Sequence, residues 1–409
     1  MCTFLITNSI QKANENIDKT FLEKGGPDHI GYKKYNNTFF FHYLLSVTGE
    51  RTEQPIEKDG YMFMHLGEIY NYDKSLPSDI YEGINAYFKY GDDCIHHLDG
   101  EFTFIVYDIK NELIKFFIDP FGTRQIHFYK IENDFIFSTS RTKFVGGSVR
   151  LKPNSIYVFD LKTLSLAHEP EVHKWNLEQK NNSFDKLELA FEEAVLKRWQ
   201  PNVTLWFSGG VDSSAVALCL NKHKRKFNSI TINSNQEDMN SINSIVEYTK
   251  QYNEHSFVAN DIHKGDGAQY SRHDDPYWKK INRVIRREQK FLSSRVTIRA
   301  AGSDEIENYP TKQNLYPGAK GWPEDLNEVF PWINFYDGRM RYLLDFHERV
   351  SLSFSQEIRS VYIDKFFVQE WLNTSKELKE SESKAFQKNY IRSFGMPISK
   401  KNTGFAGAN

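Results

Sequence analysis

The chain has 409 residues, 39% of them hydrophobic, and a formal net charge of −2. That is enough apolar material for two or three cored domains, and it excludes a global electrostatic attraction to nucleic acid or to a membrane surface. Three cysteines, Cys2, Cys94 and Cys219, make no disulfide framework and point to a reducing compartment, while MCTFLITNSI lacks a signal peptide's basic start and no apolar run nears about 18 residues, so a cytoplasmic protein is expected.

The first half reads as strand-rich. Short apolar or alternating runs at Cys2 to Thr7, Thr38 to Val47, Gly60 to His65, Phe102 to Asp108, Leu113 to Ile118, Ile126 to Lys130 and Asp134 to Ser138 are separated by Gly, Pro, Asn and Asp. One helix is expected between Ser78 and Tyr90, where Ile80, Ile84, Tyr87 and Phe88 recur at helical spacing. The pattern predicts two layered antiparallel sheets. Within the first run, Cys2 carries potential chemistry. With the initiator Met removed, its α-amine, of pKa about 7.7 to 8.0, would lie below the thiol at roughly 8.5 and serve as its general base. A residue-2 cysteine that merely belongs to a buried first strand is the alternative.

From Glu169 to Ser183 the chain is polar and aperiodic, which predicts a linker. An amphipathic helix follows from Ser183 to about Trp199. Beyond it, the strand Val203 to Phe207, a loop and an Ala/Val/Leu-rich helix lead to a strand Ser229 to Asn233, a helix around Met239 to Tyr252, a helix around Ile281 to Leu292 and a strand Arg295 to Arg299. Alternating strands and helices predict a doubly wound parallel sheet whose ligands sit at the carboxyl ends of the strands.

The loop is Ser208-Gly209-Gly210-Val211-Asp212-Ser213-Ser214. Paired glycines let backbone N–H groups approach a ligand, the helix start adds unpaired donors, the serine hydroxyls supplement them, and Asp212 offers the hard oxygen that Mg²⁺ prefers. No Gly-Lys-Ser/Thr follows, so this is no Walker A loop. The seven-residue string resembles the pyrophosphate loop of ATP pyrophosphatases, and together with Cys2 it resembles the asparagine synthetase family: an N-terminal-nucleophile glutamine amidotransferase domain, expected over residues 1–170, joined to an ATP pyrophosphatase domain, expected over 183–409.

Gly26-Pro27-Asp28, Gly67-Glu68-Ile69-Tyr70-Asn71, Ser78-Asp79, Leu98-Asp99-Gly100 and Asp119-Pro120-Phe121-Gly122 follow the order of class II glutamine amidotransferases. The resemblance implies that Cys2 attacks glutamine, that the Gly67 N–H holds the oxyanion, and that Val47, Glu68 and Asp79 bind the substrate, the carboxylates facing its α-ammonium. Three positions depart: Leu44 replaces the arginine that grips the glutamine carboxylate, Leu66 the oxyanion-hole asparagine, and Gly25 the arginine before Gly-Pro-Asp.

In the second half, Ala300-Ala301-Gly302-Ser303-Asp304-Glu305 resembles the family's second phosphate and metal segment, although Ser-Asp-Glu also suits a helix N-cap with an acidic first turn. The resemblance implies ATP or pyrophosphate contacts at Phe207, Ser208, Gly209, Gly210, Asp212, Ser213, Ser214, Ile230, Ala300 and Lys401, with Mg²⁺ at Asp212 and Asp304. Lys384 stands where the family carries the lysine that neutralises departing pyrophosphate. Here Ala301 replaces a glutamate, and Arg299-Ala300 replaces Ser-Gly. The implied reaction is adenylation of aspartate by ATP and its amidation by glutamine-derived ammonia. The alternative is a ligase acting on another carboxylate, with a weak or inactive first domain. The aromatic segment from Phe330 to Tyr336 leaves open a lid or a homodimer contact.

Overall fold

The computed structural model describes residues 2–140, 148–233, 238–259, 294–307 and 321–399. Two compact units emerge: Met1–Trp175 with Arg341–Glu357, and Asn176–Met340 with Ile358–Asn409.

The first unit holds two six-stranded antiparallel sheets. In one, β1 (Thr3–Thr7), β2 (His29–Tyr35), β3 (Thr38–Leu44), β8 (His127–Ile131), β9 (Asp134–Ser138) and β10 (Val149–Arg150) run in the order β10-β8-β9-β1-β3-β2. In the other, β4 (Ile56–Lys58), β5 (Tyr61–Ile69), β6 (Gly100–Asp108), β7 (Leu113–Ile118), β11 (Ser155–Asp160) and β12 (Ser165–Pro170) run β12-β11-β7-β6-β5-β4.

Side-chain alternation explains how they stack. Phe4 and Ile6 of β1 join Met62, Met64, Ile105 and Phe116 of the other sheet in one apolar cluster, while Leu5 packs oppositely with Ala13, Ile17 and Leu22. Those last three belong to or adjoin the helices Ile10–Asn16 and Lys19–Gly25. On the second sheet, Phe63, Phe102, Phe104 and Phe117 turn away from the shared core, against Ile80, Ile84 and Tyr87 of the helix Ile80–Tyr90. The layers are therefore helix, sheet, sheet, helix. Strand β1 is buried along its whole length, and Cys2 leads into it.

The late segment Arg341–Glu357 belongs to this unit through specific contacts. Arg341 donates from Nη2 to the Phe121 carbonyl at 2.6 Å and from Nη1 to that of Gly122 at 3.0 Å. The Gln125 N–H donates to Glu348 Oε2 at 3.2 Å, and Arg150 pairs with Asp345.

The second unit is built on a five-stranded sheet in the order β15-β14-β13-β16-β17, from β13 (Thr204–Trp206), β14 (Phe227–Asn233), β15 (Asn253–Ala259), β16 (Val296–Arg299) and β17 (Glu357–Ser360). The ladders β13–β14, β14–β15 and β13–β16 are parallel. The chain starts at β13, steps outward to β14 and β15, then returns to the other side of β13 with β16. Such a reversal makes the carboxyl ends of β13 and β16 the natural ligand crevice.

Helices Asp185–Arg198 and Val211–Lys222 flank the start of this sheet. Phe191 anchors an aromatic cluster with Tyr362, Phe367, Phe386 and Tyr390 at centroid distances of 5.2 to 6.1 Å. The helix expected at Ile281 to Leu292 lies outside the described residues.

Candidate functional site

In the first unit the Cys2 thiol is enclosed. Its Sγ receives the Leu45 N–H at 3.5 Å and lies 3.8 Å from the Leu45 carbonyl oxygen, and the side chain sits in the same apolar cluster as Leu44 and Leu66. The two leucines that the sequence sets where the resemblance expects an arginine and an asparagine thus share an apolar cluster with Cys2. Burial pushes the thiol up to about 11, against the lowering effect of the chain's N-terminal charge. The neighbouring His42 and His65 are held neutral by burial, each pulled down to about 3.

Gly67 has φ +94°, and a Cβ there would overlap the Glu101 carbonyl oxygen, so glycine is required by the backbone. Asp79 Oδ2 accepts the Ile69 N–H at 2.8 Å and stands 3.7 Å from His65 Nδ1. Glu68 is buried and Val47 half-buried. Alkylation of Cys2 by iodoacetamide at pH 8 is expected to run about two orders of magnitude slower than that of a free cysteine, and to accelerate up to about pH 11, because the thiolate is the reactive form. Peptide mass spectrometry against time reads this directly; a rate like free cysteine's would contradict the enclosed thiol.

In the second unit the loop Ser208 to Ser214 runs from β13 into the helix Val211–Lys222. Its serines knit it together: the Ser208 N–H donates to Ser213 Oγ at 3.3 Å, the Gly210 N–H to Ser208 Oγ at 3.3 Å, and the Ser213 hydroxyl to the Gly210 carbonyl at 3.2 Å. Gly209 has φ +72°, and a Cβ would collide with Ile242. Phe207 and Ile230 are buried side by side, the Phe207 N–H donating to the Ile230 carbonyl at 2.9 Å. Ser214 is buried, its Oγ without a hydrogen bond among the described residues, and Ala300 is half-buried beyond β16. Lys401 lies outside the described residues.

Lys384 joins the two strand ends. Its Nζ donates to Ser303 Oγ at 2.7 Å and lies 2.8 Å from Asp304 Oδ1, 3.4 Å from Asp212 Oδ1 and 3.9 Å from Glu307 Oε2. Burial opposes the ammonium, but Asp212, Asp304 and Glu307 outweigh it and hold Lys384 well above its ordinary value. Burial raises Asp212 and Glu307, the latter to about 8, against the pull of Lys384. Lys384 also takes up a left-handed backbone, φ +56°, at the start of the helix Ala385–Ser393, a strained conformation for a non-glycine residue. Glu307, which the sequence did not single out, completes the cluster and is bonded by Gln387.

These carboxylates fit Mg²⁺ as it binds beside phosphates, through one or two protein oxygens with water and phosphate supplying the rest. Among the described residues, Asp212 Oδ1 is buried without a well-directed hydrogen bond, and no cluster of three or more ligands forms a cation site by itself.

A glutamine amidotransferase domain profile matches residues 1–171, and an asparagine synthase profile matches residues 186–262. Both matches point to the asparagine synthetase family, which the chain resembles in each half. It is similar to a probable glutamine-hydrolysing asparagine synthetase of Dictyostelium discoideum, 26% identical over 54% of this chain and 46% of that one. It is also similar to glutamine-hydrolysing asparagine synthetase 3 of Bacillus subtilis, 25% identical over 50% and 42%, and to asparagine synthetase 1 of Saccharomyces cerevisiae, 28% identical over 47% and 37%. The chain therefore spans less than half the length of these family members. A solved allosteric regulatory enzyme of purine biosynthesis aligns with a TM-score of only 0.32 and 8% identity over 73% of this chain and 74% of that one, too low to carry an argument. No helix among the described residues is long and apolar enough to cross a membrane.

Proposed function

We propose that this chain is an ATP-dependent carbon–nitrogen ligase that activates a carboxylate as its adenylate. The observation that carries the reading is Lys384, whose ammonium joins Asp212 after β13 to Ser303 and Asp304 after β16. A buried cation at this crevice, beside a loop of Gly and Ser, suits the charge that develops when ATP breaks between its α and β phosphates. The acceptor carboxylate oxygen would attack the α-phosphorus and pyrophosphate would leave with the bonding pair. Ammonia would then displace AMP from the acyl carbon, giving an amide and releasing a proton. Backbone donors and hydroxyls of Ser208 to Ser214 would hold the leaving phosphates, and Asp212 with Asp304 would hold Mg²⁺, which supplies further charge neutralisation.

Family likeness makes aspartate the acceptor to test first, with ammonia from glutamine at Cys2. A second reading, a ligase for another carboxylate with a silent glutaminase, is favoured by the packing of Cys2 with Leu44 and Leu66. The decisive experiment measures AMP release from ATP and aspartate with glutamine or ammonium chloride, on wild type and Cys2→Ala. Glutamine-supported turnover that Cys2→Ala abolishes, while ammonium still works, establishes the full amidotransferase. Turnover with ammonium alone establishes the silent glutaminase, and AMP only with other carboxylates establishes a different acceptor. No AMP with any carboxylate refutes the ligase reading.

A further inference from the structure

Arg299 ends β16 at the same carboxyl edge of the sheet that carries the phosphate loop, four residues before Ser303. It is only 4% exposed. The register pairs Leu205 with Ile298, so the next step along the ladder sets Arg299 beside Trp206 of β13, and the guanidinium lies over the indole ring with its carbon 4.2 Å from the centroid. Among the described residues it makes no hydrogen bond and no ion pair, and its Nε is wholly buried without an acceptor. A buried guanidinium normally finds a carboxylate, a phosphate or several carbonyls, because five N–H donors taken from water are costly to leave bare. The indole face offsets part of that loss but accepts no hydrogen bond from the plane of the fork.

We infer that Arg299 is a receptor for a substrate oxyanion, a carboxylate or phosphoryl group whose two oxygens meet its fork in the crevice between β13 and β16. This deepens the ligase reading and rests on it for the identity of the substrate. The geometry favours a carboxylate, since Lys384 and the glycine loop already stand at the phosphate end. A guanidinium suits that task better than an ammonium, because the planar fork binds both oxygens at once. Burial alone lowers its pKa to about 9, in keeping with a cation that lacks its counter-ion.

The test uses the full chain and two variants, Arg299→Met and Arg299→Lys. Thermal melting is followed with Mg·ATP, AMP, pyrophosphate, aspartate or succinate added separately, and KM is measured for ATP and for whichever acceptor the AMP assay identifies. The inference expects Arg299→Met to melt no lower than wild type without anions, since it removes an uncompensated buried charge. It also expects at least one anion to raise the wild-type melting temperature, with an affinity roughly 10- to 100-fold weaker in Arg299→Met and intermediate in Arg299→Lys. Dependence confined to aspartate or succinate identifies a carboxylate, and dependence confined to the nucleotides or pyrophosphate identifies a phosphoryl group. A variant that melts lower while binding every anion as wild type does marks a purely structural arginine and overturns the inference. So does a wild type that responds to none of the five probes. Turnover with unchanged KM values in Arg299→Met would sink the inference and spare the ligase reading, whereas an Arg299-dependent anion response without any AMP would do the reverse.

Discussion

Lys384→Met is expected to lower AMP formation by roughly 10²- to 10³-fold or more, the usual consequence of losing one preorganised group that meets developing charge. The expectation rests on geometry. Lys384 is the cation shared by Ser303, Asp304, Asp212 and Glu307, within 2.7 to 3.9 Å of each. Methionine keeps the length of the side chain and its packing, so the loss isolates the charge. Single-turnover assays with saturating Mg·ATP measure it, and a variant retaining a tenth or more of wild-type rate would remove Lys384 from the chemistry.

The same substitution has a pH signature in stability. Glu307 is raised from about 4.5 to about 8, so between those values the unfolded chain releases a proton that the folded chain keeps. By linkage the group's cost to stability is absent below about pH 4.5, accumulates as pH rises, and is complete above about pH 8. Without the ammonium that cost should grow, and urea midpoints should show the Lys384→Met deficit widening from pH 5 to pH 8.

Asp364→Ala is expected to destabilise the second unit by about 3 to 5 kcal/mol, the range for removing one partner of a buried ionic cluster. Asp364 Oδ2 accepts from Arg198 Nη1 at 2.8 Å and pairs with Lys197, while its Oδ1 caps the helix Lys365–Asn373 through the N–H groups of Phe366 at 3.0 Å and Phe367 at 3.3 Å. Alanine would take the Asp364 carboxylate from two cations and leave one helix start without its side-chain cap. Burial opposes the carboxylate's charge, but Lys197 and Arg198 together hold it down to about 2. A depressed pKa means the stabilisation is present in full above the unfolded value near 3.9 and disappears only as pH falls through about 2. The Asp364→Ala deficit should accordingly be constant from pH 5 to pH 8, in contrast to that of Lys384→Met. Urea unfolding at three pH values in that range tests it, and a loss below about 1 kcal/mol would mean that Arg198 finds enough support in the Ala194 carbonyl it also reaches at 3.0 Å.

Much of this layout was legible because local signals agreed with the fold. Strands such as Leu113–Ile118 and Asp134–Ser138 have apolar runs bounded by turn residues, and the helix Ile80–Tyr90 shows its buried stripe at Ile80, Ile84 and Tyr87. The convergence of Asp212, Asp304 and Lys384 was legible as well, since each stands in a motif whose order along the chain is informative. Elements without such contrast were not. The helices Ile10–Asn16 and Lys19–Gly25 are short and mostly polar, and their serine and aspartate caps, Ser9 and Asp18, resemble ordinary turn residues. Strand β12, Ser165–Pro170, is largely exposed and so shows no alternation. Glu307 escaped notice for another reason, and Arg299 stood out only as a departure from Ser-Gly: what sets both apart is burial, and a charged residue in sequence looks solvated until its neighbours are known.

The first unit is not one continuous stretch of chain. Arg341–Glu357 reaches it from far downstream, and Glu348 meets the backbone of Gln125 only once that segment exists. A nascent chain emerging from the ribosome therefore cannot finish its first unit when residue 175 appears. All strands of its two sheets are present by then, but the contacts of Arg341–Glu357 must wait while most of the second unit is synthesised, and they close a very long loop. The order of completion is thus inverted relative to the order of synthesis, and quality control of the nascent chain would meet the amino-terminal half in an unfinished state for most of translation.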